Sequence, residues 1–168
     1  VKLSVAERLG WTDQDDIFME DIVQATESGE VRFMMTSATQ SNSGASFYFA
    51  ALTAFADKGG EVITSAELES ESVERDIKRI LGTVDRSSGS SGWLKDLFLE
   101  QYSRFDAMVN YEALIIEANQ ELETRGQEPL YVVYPVDGLA IADSPLAYVE
   151  RNLDGKEDLF LELQEYLL

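Results

Sequence analysis

Val31-Arg32-Phe33-Met34-Met35-Thr36-Ser37-Ala38-Thr39-Gln40-Ser41-Asn42-Ser43-Gly44-Ala45-Ser46-Phe47-Tyr48-Phe49-Ala50-Ala51-Leu52-Thr53-Ala54-Phe55-Ala56 opens as a short apolar run, crosses small polar residues, and continues as a second apolar run. The first run, Val31 to Thr36, suits a buried strand. The second, Ala45 to Ala56, is apolar nearly all round and predicts a helix lying under other elements. Between them the helix start collects donors. Its first N–H groups lack intrahelical partners, and the helix dipole adds partial positive charge there. Ser41, Asn42 and Ser43 contribute further donors, and Gly44 lets another group approach the backbone, so the place suits an anion or carboxylate. Ser, Thr and Asn before a helix are also ordinary N-caps that bind nothing. This turn holds more donors than one cap needs.

Working outward, Val1 to Gly10 predicts a short helix, and Asp16 to Glu27 another, with Ile17, Phe18, Ile22 and Val23 inward. Asp13, Asp15 and Asp16 resemble half of a calcium loop but lack its glycine and distant glutamate. They read as acids complementing a helix start. Asp57-Lys58-Gly59-Gly60 is a helix stop. Val62-Ile63 forms a weak strand candidate, and Thr64 with Glu67 a capping box that leads into a helix through Val73, Ile77 and Ile80. Asp85 to Gly92 is rich in Ser and Gly. It reads as a linker or as a second hydroxyl-rich helix start, because Trp93, Leu94, Leu97 and Phe98 have helical spacing.

Phe105 to Val109 predicts a strand, Glu112 to Thr124 a helix, and Pro129 to Pro135 a strand rich in β-branched and aromatic residues. Pro145 to Val149 suits a further short strand or a helical turn, the strand being preferred, and Lys156 to Leu168 a terminal amphipathic helix with Leu159, Phe160, Leu163, Tyr166 and Leu167 inward. Strands alternating with helices predict an α/β fold: three layers, αβα, around a mostly parallel central sheet. Ligands in such folds lie beyond the carboxyl ends of the strands. The segments Thr36 to Ser43, Asn110 to Glu112 and Pro135 to Gly138 all follow predicted strands and would share one rim.

Composition narrows the chemistry. The 168 residues fit one domain, and a hydrophobic content of 45% argues against disorder. With no cysteine and no histidine, Cys/His zinc sites and Ser-His-Asp or Cys-His catalysis are excluded within the chain. Thirteen basic against 32 acidic residues give a net charge of −19, which disfavours nucleic acid and anionic membranes as partners. No apolar run approaches a membrane span, and these residues show no signal-peptide pattern, which in a fragment says nothing about where its parent lives. A start at Val1 rather than Met suggests a fragment of a longer protein.

Four pieces together resemble a known family. They are Met34 to Gly44, Asp106-Ala107-Met108-Val109-Asn110-Tyr111-Glu112, Tyr134-Pro135-Val136-Asp137-Gly138, and Leu163-Gln164-Glu165-Tyr166-Leu167-Leu168. Their order and spacing resemble a bacterial extracellular solute-binding protein of the type 2 periplasmic-binding-protein family, in the group fused to a von Willebrand factor A domain. The resemblance implies a two-lobed receptor that closes on ligand by hinge motion, with residues 1–168 as a single domain supplying mainly the second lobe. The first lobe and any von Willebrand domain would belong to the rest of the parent, which would be extracellular or periplasmic and membrane-tethered. It also implies that Ser41, Ser43 and Gly44 are helix-start ligand contacts, that Tyr111 is a cleft residue, and that Tyr134 to Gly138 lies near the return crossing between lobes. Ser90 and Ser91 have a weaker counterpart.

Thr39, Ser41, Asn42, Ser43, Gly44, Ser90, Ser91, Tyr111, Glu112 and Asp137 are thus the candidate ligand-binding residues, with no catalytic residue, metal or cofactor expected. Two rivals stand beside the receptor: an enzyme using Glu112 and Asp137 as acid and base, and a cell-surface interaction or adhesion module with a vestigial cleft.

Overall fold

The computed structural model describes residues 1–13, 16–56, 62–141, 146–151 and 155–167. The helix stop expected at residues 57–60, Asp15 of the acidic cluster and the first residue of the 145–149 run lie outside them. In chain order the elements are α1 (Leu3–Arg8), α2 (Met19–Glu27), β1 (Phe33–Thr36), α3 (Asn42–Phe55), α4 (Ser65–Leu68), α5 (Glu71–Gly82), β2 (Val84–Ser88), α6 (Ser91–Glu100), β3 (Ala107–Met108), α7 (Glu112–Thr124) and α8 (Lys156–Leu167).

Among the described residues the sheet has three strands, all parallel, in the order β2-β1-β3. Side chains of β1 alternate between two cores, as the period of a strand requires. Met34 joins Leu94, Phe98, Met108, Ile115 and Leu122 on the face covered by α6 and α7. Phe33 and Met35 join Val5, Trp11, Ile17 and Val31 on the opposite face, where the Phe33 and Phe47 rings lie 5.6 Å apart. A third cluster binds α2, α3 and α5 through Met19, Val23, Ala51, Ile77 and Ile80. Helices therefore flank both faces. This follows from the strand order: the chain moves one way from β1 to β2 and back the other way from β2 to β3. Crossovers of one hand must then lie on opposite sides of the sheet.

The predicted strands at Val31–Thr36 and Phe105–Val109 appear as β1 and β3, and Val62-Ile63 forms no strand. Pro129 to Pro135 is a correction. It forms only an isolated antiparallel bridge, Lys2 to Leu130, because Tyr131 and Val133 pack beneath the sheet instead of joining its ladder. Residues 146–149 likewise form no strand. β2 was hidden in the Ser/Gly tract, since Val84–Ser88 is an edge strand with exposed polar residues.

Three burial expectations also change. Phe18 is 47% exposed, and α3 is buried along Ser43, Gly44 and Ala50 to Leu52 while Phe49 lies in solvent. Helix α8 has no buried residue among those described, so its apolar side is open rather than inward. At the start of α2, Asp21 accepts from the Phe18 N–H at 2.8 Å. The capping box of Thr64 and Glu67 forms as expected.

Two charged groups tie elements together. Asp106, buried at the start of β3, accepts from the Arg32 backbone N–H and from its Nε, both at 2.9 Å, and lies 3.8 Å from the buried Lys2 ammonium. Arg79 of α5 makes paired hydrogen bonds to both Glu20 and Glu27 of α2, at 2.8–3.0 Å. These bonds, to Glu27 first and then Glu20, hold its guanidinium well above the ordinary value. Because both glutamates are partly exposed, Arg79→Met should lower stability by only about 1 kcal/mol. Urea unfolding at low and high salt checks this, since the loss should shrink as salt screens the pairs.

Candidate functional site

The loop after β1 leads to α3 on one face of the sheet, and the loop after β2 leads to α6 on the other. Adjacent parallel strands whose connections part in this way leave a crevice at their carboxyl ends. Here the crevice is lined by the starts of two helices. Ser41 is the N-cap of α3 and Ser90 that of α6, and neither makes a side-chain cap hydrogen bond. Their first-turn amides therefore lack the partner that a capping serine normally supplies.

The Ser41 hydroxyl turns to the other helix instead. It lies 3.3 Å from both Ser43 Oγ and Ser91 Oγ, and Ser43 Oγ lies 2.8 Å from Ser91 Oγ. A further 2.8 Å contact joins Ser43 to Thr36 Oγ1 at the end of β1. Four hydroxyls thus connect the end of β1 to the starts of α3 and α6. Thr36 and Ser43 are buried, Ser41 and Ser91 partly so. Hydroxyls rotate, so those with access to solvent can offer either a proton or a lone pair.

Gly44 makes this approach possible. A Cβ there would stand 2.4 Å from the Thr36 carbonyl oxygen and 2.8 Å from its Oγ1, so only glycine lets α3 start this close to β1.

A third helix start adjoins the first two. Tyr111, the N-cap of α7, follows β3, and its hydroxyl accepts from Asn42 Nδ2 at 3.0 Å. Asn110 donates to the Ser91 carbonyl at 2.9 Å, and its own Oδ1 accepts from the Tyr111 N–H. Glu112 accepts the Tyr134 hydroxyl proton, and that hydrogen bond holds the Tyr134 hydroxyl above its ordinary value.

The expected residues therefore divide. Ser41, Asn42, Ser43, Gly44, Ser90, Ser91, Tyr111 and Glu112 gather on one rim at the starts of α3, α6 and α7. Thr39 lies on the exposed β1–α3 loop, bonded to Ser37. Asp137 stands apart from that rim: its Oδ1 accepts from the Met19 N–H at 2.8 Å and caps α2. Thr36 and Asn110 fall in the segments expected at this rim but not among the candidate ligand-binding residues. Both carried a signal, being polar residues placed directly after apolar strand runs.

Beside the rim and under β3 is a cavity of about 460 Å³. Its walls include Trp11, Phe33, Phe47, Tyr131 and Val133, and its polar margin comprises Ser43, Asn110, Tyr111, Glu112 and Tyr134. The 131–141 segment closes one side, held by the Val136 N–H to the Ile17 carbonyl at 2.9 Å. No described group of three or more Asp or Glu side chains is placed to hold a metal ion. No described helix is long and apolar enough to cross a membrane.

What the rim offers chemically is a set of donors at the positive ends of helices, with an apolar chamber alongside. Compared with protein-family models, curated proteins and solved structures, the chain shows no significant match to any of them.

Proposed function

We propose that this chain is a non-catalytic ligand-binding lobe of an extracellular solute-binding protein, holding a small anionic solute where α3 and α6 begin. One observation carries the reading. Two helix starts whose N-cap serines leave the first turn uncapped meet at a strand-order crevice, joined by the hydroxyls of Ser41, Ser43 and Ser91. An anion there would be met by amides, hydroxyls and two helix dipoles at once. The likeness of the Met34–Gly44 and Asp106–Glu112 segments to type 2 periplasmic-binding proteins supports the same reading, with Tyr111 at the cleft edge and the second lobe as this chain's part.

The net charge of −19 does not oppose this strongly. Exposed charges beyond roughly 10 Å are screened at physiological salt, while amide donors act at contact. Nucleophilic catalysis would need a base within reach of a hydroxyl, whereas these hydroxyls are hydrogen-bonded to one another. Asp137 is engaged with α2, which weakens its pairing with Glu112 as acid and base.

Thermal unfolding with a panel of oxyanions, carboxylates, amino acids and sugars tests the proposal. A ligand at 100 times its Kd should stabilise by about 2.7 kcal/mol. That shift should vanish in the Ser41→Ala, Ser43→Ala double variant. A panel without any shift would favour the alternative, a cell-surface interaction module. The exposed apolar side of α8, with Leu159, Leu163 and Tyr166, is the observation that speaks for that second reading.

A further inference from the structure

We propose that the cavity beside β3 binds an apolar amine, an alkyl- or arylalkylammonium ion, with its cationic end at Glu112 and its apolar body between Phe33, Phe47 and Tyr131. The proposal stands on the cavity and goes beyond the anion site.

At about 460 Å³ the cavity falls within the range of small-molecule sites, and it has their usual make-up of apolar walls and a few polar groups at one end. The occupant follows from the charges. Among the described residues Glu112 is the only acidic side chain in the lining, no lysine or arginine side chain lines it, and the Val1 amino group there is engaged with the Tyr131 carbonyl at 3.0 Å. Most other polar groups at the mouth are occupied. Asn110 is bonded to Ser91 and to the Tyr111 N–H, and Tyr111 accepts from Asn42. Glu112 receives the Tyr134 hydroxyl, but an ionised carboxylate has about four acceptor positions. It is exposed and so reachable from solvent.

A carboxylate placed at this mouth would meet Glu112 as a like charge. A neutral alcohol would gain a hydrogen bond from it but no charge pairing. An ammonium ion gains the charge of the carboxylate as well as hydrogen bonds to it. The field of a chain carrying −19 also raises the local concentration of cations.

The test is calorimetric titration of the chain at pH 7 with n-alkylamines of increasing length, beside alkanols and carboxylates of the same lengths. Amine affinity should rise about fourfold per methylene until the cavity is full. Amines should bind about threefold to tenfold tighter than matched alkanols, as a charge-assisted contact at a partly wet site allows. Glu112→Gln should remove that preference and keep the dependence on length. Ser46→Leu, which adds bulk to the wall without removing a packed group, should flatten the dependence. Ala140→Leu adds bulk at another lining position, should the first variant fold poorly by circular dichroism.

Equal binding of the three series, absence of amine binding, or amine binding untouched by both wall variants would overturn the proposal. Inorganic phosphate, titrated separately, probes the junction of α3 and α6 rather than the cavity. Failure of one reading therefore stays distinguishable from failure of the other.

Discussion

Gly44→Ala should lower the stability of this chain by about 3 kcal/mol, the upper end of what overpacking usually costs. The added methyl would meet the Thr36 carbonyl oxygen at 2.4 Å and the Ser37 carbonyl carbon at 2.9 Å. Both are backbone atoms at the end of β1 that cannot swing aside as a flexible side chain would. Relief requires α3 to back away from the sheet, and that movement also separates Ser43 from Thr36 and Ser91. The variant should therefore lose stability and ligand response together. Gly92→Ala supplies the control. It lies in the first turn of α6 with nothing within 4 Å of the added methyl, and should be neutral or slightly stabilising. Urea unfolding of both variants decides the matter. A Gly44→Ala midpoint equal to wild type would mean that the close approach of α3 to β1 is not maintained in solution.

The second large effect belongs to Asp106. Asp106→Ala should cost about 3 kcal/mol, because it strands the buried Lys2 ammonium and frees the Arg32 N–H at the point where β1 begins. The pH dependence gives the same interaction a distinct signature. Burial by itself pushes the Asp106 carboxyl up. The Arg32 side-chain and backbone hydrogen bonds, with the charges of Arg32 and Lys2, outweigh burial and hold it below its ordinary value of 3.8. A carboxyl whose folded value is depressed contributes stability that is complete above the unfolded value and is lost as pH falls through the folded one. The gap between wild type and Asp106→Ala should therefore be full at neutral pH and narrow below about pH 4. A gap that stays constant with pH would show that the loss comes from packing and not from charge.

What could be read beforehand follows the kind of interaction that fixes each element. Helix α7 was legible at both ends, because Tyr111 and Glu112 open it and Arg125-Gly126 close it locally, with Gly126 at φ 63°. The strand–turn–helix of β1 and α3 was legible for a similar reason, and it carried most of the candidate site. β2 was not, since Val-Asp-Arg-Ser-Ser owes its strand to pairing with Phe33–Thr36 rather than to its own composition. The opposite error occurred at Tyr131 to Val133, where β-forming residues serve as cavity wall. Strand preference measures fit to a half-buried surface and does not require a ladder. The bond from Asp137 to α2 was not legible, because a turn aspartate can cap a distant helix, and its partner Met19 lies far back in the chain.

The order β2-β1-β3 has a kinetic consequence. The central strand is made first and must wait for both neighbours, which arrive only after several intervening helices. Sheets built from such distant pairings close slowly, because the entropy of loop closure is lost before the contacts form. The junction between α3 and α6 exists only once β1 and β2 have paired, so it should be among the last parts of the molecule to form. A ligand held there would stabilise the finished state and not the barrier leading to it. Its expected mark is thus a slower rate of unfolding with the refolding rate unchanged.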